Sequence, residues 1–303
     1  MIGIISTALE LGLINAIAVL ALFLSYQMLN ICDLSTDGCF TLGASVGAVT
    51  VLSGYPYLSI PAAMLAGILS GITVSFLQWK MEIDSLLAGI IVNTALYSIN
   101  IAVMGNASLV NLNKADTVFT FFRDLLKGSF LASYYRIAAI LLFVILIVLF
   151  LNWFLKTKLG LAIRATGSNR IMVASSSVDA DKMTMIALAV SGSICALSGC
   201  LLAQYQKSSS IDIGSGILTI ALASLLIGRI FYRYDSPMPV KICASVLGSF
   251  VFRIIYALSL RLNMPAFMLK LISSLIVALA ISFPYFYRKF QEKKQMRRED
   301  AAC

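Results

Sequence analysis

The chain has 303 residues, of which 60% are hydrophobic and only 12% charged, and its mean hydropathy is +0.92. Soluble domains carry about 25% charged residues, so this composition excludes an ordinary soluble domain and indicates a polytopic helical membrane protein. The net charge of +9 does not indicate nucleic-acid binding, because the basic residues cluster at loop ends and at one terminus, and residues 1–79 contain no Lys or Arg.

In chain order, nine apolar segments approach the length of about 20 residues that a membrane-spanning helix needs. Those at 38–53 and 214–231 are short, and the polar stretch 106–133 is predicted to be an extracellular loop. We therefore expect an all-α polytopic membrane protein with about nine transmembrane helices in a single domain, residues 1–303. The predicted segments are 3–29, 38–53, 57–79, 85–105, 134–155, 183–205, 214–231, 238–260 and 265–287.

Two polar breaks interrupt the apolar segments in a similar way. The first, residues 30–43, reads NICDLSTDGCFTLG, and the second, residues 205–216, reads YQKSSSIDIGSG. Each break has an acidic residue and leads into a short Gly-containing segment. The matching segments are five apart, so the two halves would have opposite orientations, as in an inverted repeat with broken helices at a substrate pathway. The alternative is two ordinary turns with helix caps. We predict that the path includes Asp33, Ser35, Thr36, Asp37 and Asp212.

The fourth segment carries polar side chains where lipid would be expected. Asn93, Tyr97 and Asn100 are spaced four and three residues apart, so they share one face of a helix. Polar residues inside a membrane usually face the bundle interior or a cavity. These three residues are therefore predicted to line the path, with hydrogen bonding between helices as the open alternative.

Pairs of glycines spaced four residues apart indicate close helix packing rather than function. Gly43 and Gly47 form one GxxxG pair, and Gly67 and Gly71 form another. Small residues let two helix backbones approach each other closely. We expect both pairs to lie at contacts between helices.

A polar, basic segment at residues 156–182 separates two apolar segments. Its five Lys and Arg residues place it on the cytoplasmic side by the positive-inside rule. The same rule places the basic tail at 288–303 in the cytoplasm. Apolar residues alternate with Arg and Ser, which favours a short amphipathic helix on the membrane surface. Gly160 and Gly167 allow the backbone to turn, and Arg164 and Arg170 can reach acidic residues of a partner. Such a helix suits contact with a soluble motor protein.

The sequence predicts no catalytic or metal site. It contains no histidine and no CxxC pair, which removes the commonest general base and a common zinc pattern. It also lacks a P-loop, so any ATP must be bound by a partner subunit. We expect a non-catalytic transport subunit without a cofactor of its own.

Several segments together resemble the permease subunits of ATP-binding-cassette importers, in the branch that contains branched-chain amino acid and ribose permeases. Within that branch, the chain is most similar to an uncharacterised subfamily linked to tryptophan or tyrosine uptake. The resemblance extends over nearly the whole chain and is carried by LGLAIRATGSN, SGSICALSGCLLAQYQ, IDIGSGILTIALASLLIGR, CDLSTDGCFTLGASVGA and LLAGIIVNTALYSINIAVMG.

The resemblance implies a pore made by two permease chains, two cytoplasmic ATPases that bind the segment 156–182, and an external binding protein that delivers the solute. It also implies the residues that contact the ATPase, which are Gly160, Arg164, Ala165, Gly167, Ser168, Asn169, Arg170 and Ala174.

We accordingly expect a multi-pass cell-membrane permease with a cytoplasmic C-terminus that acts as a homodimer and imports an amino acid, favouring aromatic ones. Three alternatives stay open at this point. The same machine could carry a sugar or nucleoside, the chain could be an ion-coupled secondary transporter, or it could be a membrane-embedded regulatory or scaffold protein. The scarcity of acidic residues deep inside the apolar segments argues against ion coupling.

Overall fold

A computed structural model of the chain describes residues 2–125, 135–176, 178–232 and 236–261, together with isolated helical positions between 271 and 282. These residues are almost entirely helical, with one short ribbon of two strands. The elements are α1 (Ile2–Leu22), continued by π-helical turns at Phe23–Met28, α2 (Thr36–Leu52), α3 (Ser59–Lys80), α4 (Ser85–Val103), β1 (Leu109–Asn111), α5 (Val118–Leu125), α6 (Tyr135–Phe154), α7 (Lys158–Ser168), α8 (Arg170–Ser175), α9 (Ala180–Gln206), β2 (Ser208–Ser210), α10 (Ile217–Ile230) and α11 (Met238–Arg261).

The predicted all-α membrane architecture is confirmed, but the nine spans are not. Within the described residues, six helices are long and apolar enough to cross a membrane: α1 with its π-helical turns, α3, α4, α6, α9 and α11. The segments predicted to be short contain α2, with 17 residues, and α10, with 14. At 1.5 Å per residue they reach about 25 and 21 Å, less than a hydrocarbon core of about 30 Å. The ninth segment, 265–287, and the tail, 288–303, lie outside the described residues apart from those isolated positions.

Helices α1 and α9 form the centre of the bundle. About three quarters of the most apolar stretch of each is buried, against about one third for α3, α6 and α11. Helix α9 packs against α1, α2 and α3. Most of its surface therefore contacts other helices rather than lipid.

The two GxxxG pairs lie where α2 and α3 touch α9, as predicted. A side chain at Gly43 would overlap the carbonyl oxygen of Ala196, and one at Gly67 would overlap the carbonyl oxygen of Gly192. The backbones are therefore close enough that only glycine fits between them.

The 27 residues of α9 span about 40 Å and define two ends of the bundle. Helices α7 and α8 precede its first residue. At its other end, β2 pairs antiparallel with β1, with Leu109 opposite Ser210 and Asn111 opposite Ser208. The segment 156–182 and the β-ribbon therefore lie at opposite ends, as the sequence predicts for a cytoplasmic and an extracellular loop.

The predicted amphipathic helix in the basic segment is present as α7. Its Gly160, Ile163 and Thr166 are buried and follow a helical spacing along one face. Thr157 caps the helix, because its hydroxyl accepts a hydrogen bond from the Gly160 amide at 3.2 Å. A second helix, α8, follows at once and is capped by Asn169.

Candidate functional site

The two polar breaks meet in the interior at the first turn of α10. The carboxylate of Asp37, in the first turn of α2, accepts hydrogen bonds from the amides of Gly216 at 3.0 Å and Leu218 at 2.7 Å. Helix α10 has no cap from its own neighbouring side chain, so Asp37 supplies it from 179 positions away. The same carboxylate lies at the N-terminal end of two helices, where a negative charge is stabilised.

The backbones of the breaks also touch. A side chain at Gly214 would overlap the carbonyl oxygen of Asp37 and the hydroxyl of Thr41, so this contact requires glycine. The second break comes from the end of the bundle that holds β2, whereas the first follows α1 at the end that holds α7. The two breaks therefore enter from opposite ends of the bundle and meet at the first turn of α10.

A polar cavity of about 280 Å³ lies beside this junction. It is bounded by α2, α4 and the connection between β2 and α10. Five of the residues predicted to form the path are among those that line it. The lining residues are Asp37, Gly38, Thr41, Asn93, Thr94, Tyr97, Asn100, Ile211, Asp212 and Ser215.

The three polar residues of α4 share one face as predicted, but their surroundings differ. Asn100 is buried, and its amide donates to the carbonyl oxygen of Gly38 at 3.2 Å. Asn93 is half-buried beside Gly38, and Tyr97 is 54% exposed. Among the described residues the Asn93 carboxamide has no hydrogen-bond partner. Asn100 therefore joins two helices, while Asn93 and Tyr97 have polar groups to offer to a solute.

The remaining predicted path residues lie behind the cavity and not in its lining. Asp33, Ser35 and Thr36 are buried in the turn that precedes α2. One Asp33 carboxylate oxygen accepts from the Ser35 amide at 2.9 Å and from its hydroxyl at 2.6 Å, and the Thr36 hydroxyl donates to the Asp33 carbonyl at 2.7 Å. This network fixes the turn, and a role of these three residues in the path stays a prediction.

Asp212 gives the cavity its chemistry. Its side chain is exposed, and the described residues offer its carboxylate neither a hydrogen bond nor an ion pair. The charge of Asp37 is already directed at two amides of α10. A solute in the cavity therefore meets a carboxylate, a carboxamide, a phenol and hydroxyls, a set that favours hydrogen-bond donors and cationic groups.

A larger groove of about 560 Å³ lies between α3, α6 and α9. Its lining is apolar except for Ser193. Ser193 is its single polar lining residue, whereas most residues that line the smaller cavity are polar, so the smaller cavity is the candidate path.

The predicted partner-contact residues of the basic segment fall into two groups. The structure buries Gly160 against Leu155 and leaves Arg164 and Gly167 half-buried. The guanidinium of Arg170 forms an ion pair with Asp181 of the same chain. An acidic residue of a partner would have to compete with Asp181 for this guanidinium. The exposed members of the predicted set are Ala165, Ser168, Asn169, Arg170 and Ala174.

Sequence analysis missed two residues at the tip of this segment. Ile171 is 85% exposed and Met172 is 68% exposed, although both are apolar. Exposed apolar side chains next to each other on α8 are typical of a contact with a protein or with the membrane surface. The signal available in the sequence was an apolar pair, IM, inside a segment whose charges keep it out of the hydrocarbon.

Asp179 fixes the start of α9 at this end. Its carboxylate accepts from the amides of Asp181 at 3.1 Å and Lys182 at 3.2 Å and pairs with the Lys182 ammonium at 3.2 Å. The hydrogen bond from the Lys182 amide is the main reason that the pKa of Asp179 lies below its ordinary value. The ionised Asp179 carboxylate thus caps the first turn of α9 at neutral pH.

Comparisons with known proteins agree over nearly the whole chain. The family described as "Branched-chain amino acid transport system / permease component" matches residues 4–282. A tyrosine transport system permease protein of Clostridioides difficile (strain R20291) is 31% identical over 278 residues, which cover 91% of this chain and 90% of that protein. An uncharacterized protein of Rickettsia prowazekii (strain Madrid E) is 32% identical over 283 residues, 92% of this chain and 97% of that protein. No solved structure is significantly similar to the chain.

Proposed function

We propose that this chain, which belongs to the family of branched-chain amino acid transport system permease components, is the membrane-spanning subunit of an ATP-driven importer. Membership of the family makes it a permease component of a transport system. The role in an ATP-driven importer is the proposal. The observation that carries it is the polar cavity formed where the two breaks meet, inside a bundle whose one end presents α7 and α8.

The solute passes along the cavity lined by Asp37, Asn93, Tyr97 and Asp212. Short helices whose ends meet in the interior are the arrangement that many transporters use at their binding sites. Few groups in this cavity lack partners, which suits brief contacts with a solute delivered by an external binding protein.

The solute is an amino acid, and aromatic ones are favoured. One relative is named a tyrosine transport system permease protein, and the unpartnered Asp212 can accept hydrogen bonds from an ammonium group. A sugar or a nucleoside would use the same hydroxyl and amide groups but would not need the carboxylate.

The ATPase binds α7 and α8, with Ile171 and Met172 at the centre of the contact and Ser168, Asn169 and Ala174 around them. The sequence has no P-loop of its own, so hydrolysis belongs to that partner. Two copies of the chain complete the importer in the cell membrane, with this end and the C-terminus in the cytoplasm.

Uptake in cells that express the chain with its ATPase and binding protein tests the function. Labelled tyrosine should accumulate, excess unlabelled tryptophan should compete, and ribose and nucleosides should not. Accumulation should stop when ATP is depleted and continue when a protonophore collapses the proton gradient. Competition by ribose or a nucleoside alone would overturn the substrate assignment.

One observation favours an ion-coupled transporter as the second candidate. Asp33 is buried in the turn that precedes α2, and a buried ionisable side chain is what ion coupling requires. Under this hypothesis the protonophore would stop uptake at normal ATP levels, and Asp33→Asn would do the same.

A further inference from the structure

The basic segment touches the first break directly. The side-chain amide of Asn30 donates a hydrogen bond to the carbonyl oxygen of Gly167 at 2.9 Å. At the same place, a side chain on Gly167 would overlap the carbonyl oxygen of Met28. The C-terminal turn of α7 therefore rests on the end of the π-helical turns and on the residue that begins the break.

Asn30 holds an unusual backbone conformation at this contact. Its φ is +55°, in the left-handed region that asparagine and glycine tolerate best. The chain leaves π-helical turns at this point, which are rare and often mark functional positions in helices. A non-glycine residue in this conformation persists where the surrounding contacts hold it, and the hydrogen bond to Gly167 is one such contact.

The chain between Asn30 and Asp37 is short and held by hydrogen bonds, so a change in the position of Asn30 is passed on to Asp37. Six residues separate Asn30 from Asp37, and the hydrogen bonds among Asp33, Ser35 and Thr36 fix the turn between them. Asp37 in turn holds the first amides of α10 beside the cavity. A displacement of α7 thus reaches the cavity wall through a short, hydrogen-bonded path.

We propose that Asn30 is a positioning residue that links the ATPase-contact segment to the α10 N-terminus at the cavity. The proposal rests on the proposed function in one respect, the assignment of α7 and α8 as the ATPase contact. The physical link itself is a property of this chain alone.

The link is tested by hydrogen–deuterium exchange on the purified full chain in detergent. Asn30→Gly keeps the left-handed backbone available and removes only the side-chain hydrogen bond. We expect exchange in a peptide covering 211–220 to become about fivefold faster, with exchange in α4 unchanged. Asn30→Asp keeps the shape but replaces the donor with an acceptor, and it should give at least the same increase.

Asn106→Gly is the matched control. Asn106 is also a left-handed asparagine, with φ of +63°, but it is exposed after α4 and makes no side-chain hydrogen bond to another element in the described residues. The same exchange rate for 211–220 in Asn30→Gly and Asn106→Gly overturns the proposal, as does an increase spread over all helices.

Reconstitution with the ATPase, with the binding protein and solute present, provides the second measurement. In vesicles, Asn30→Gly should lower uptake per ATP hydrolysed several-fold, while Asn106→Gly leaves the ratio unchanged. If wild-type vesicles show no ATP-dependent uptake, the proposed function fails, and the exchange experiment still decides the link. An unchanged ratio in Asn30→Gly overturns the role of Asn30 in coupling.

Discussion

Two asparagines on one face of α4 have different neighbours, and under the proposed function this difference makes Asn93 a path residue and Asn100 a packing residue. Asn93 faces the cavity without a hydrogen-bond partner among the described residues, whereas Asn100 is buried and bonds to Gly38. We predict that Asn93→Leu lowers uptake about tenfold at unchanged thermal stability, because only the path loses a polar group. Uptake and unfolding temperature are measured on one preparation.

Asn100→Leu is the counterpart of this change. It removes the donor to the Gly38 carbonyl oxygen, and we expect it to reduce stability by about 1–3 kcal/mol. A stability loss in Asn93→Leu as large as that in Asn100→Leu would assign both residues to helix packing.

The helix period alone predicts that Asn93, Tyr97 and Asn100 share a face, because positions three and four apart lie together. It does not predict which of them is buried. That depends on Gly38 and Ser45 in α2, more than 50 positions away, which approach Asn100 and leave Tyr97 open. Tertiary contacts of this kind leave no mark in local spacing.

At the scale of elements, α10 depends on a cap from another helix. We predict that Asp37→Ala reduces stability by about 1–3 kcal/mol, because two amides lose a charged acceptor. Asp212→Ala in the same cavity should change stability by less than about 0.5 kcal/mol and lower uptake, since its carboxylate holds no described element in place. Thermal unfolding of both variants checks this, and equal losses contradict the role of Asp37 as a cap.

A second element-scale prediction concerns the glycines between α3 and α9. Gly67→Val places a side chain against the Gly192 carbonyl oxygen. We expect it to lower the free energy of unfolding by about 1–3 kcal/mol. Leu69→Val changes a side chain that is 65% exposed on the same helix, and it should have little effect. Equal unfolding temperatures for these two variants would show that the contact between α3 and α9 can relax.

Composition and segment length predict most of the elements. The short segments at 38–53 and 214–231 are indeed α2 and α10, and the GxxxG pairs do mark close contacts. The sequence does not reveal that the two breaks meet, because Asp37 and Gly216 are joined only by the fold. The inverted repeat stays a prediction. The extra helix α8 was also missed, since the Asn169 cap that starts it lies within one continuous polar segment.

The whole molecule has a polar cavity inside and an apolar pair, Ile171 and Met172, at one end. An exposed apolar pair on a surface segment is a candidate contact for a partner. We predict that Ile171→Asp combined with Met172→Asp abolishes co-purification of the ATPase while the chain itself folds normally. Leu109→Asp, at an exposed apolar position on β1 at the opposite end, should leave co-purification intact.

Site-specific crosslinking locates the same contact without disturbing it. Single cysteines at Ser168 and Ser175, which are exposed on either side of the apolar pair, should crosslink to the ATPase, because both lie within reach of any protein that covers α8. A cysteine at Ser53, exposed at the C-terminal end of α2, should give no such product. If no position from 160 to 176 crosslinks while the intact complex still hydrolyses ATP in response to solute, the ATPase binds another surface, and α7 and α8 then need a different partner.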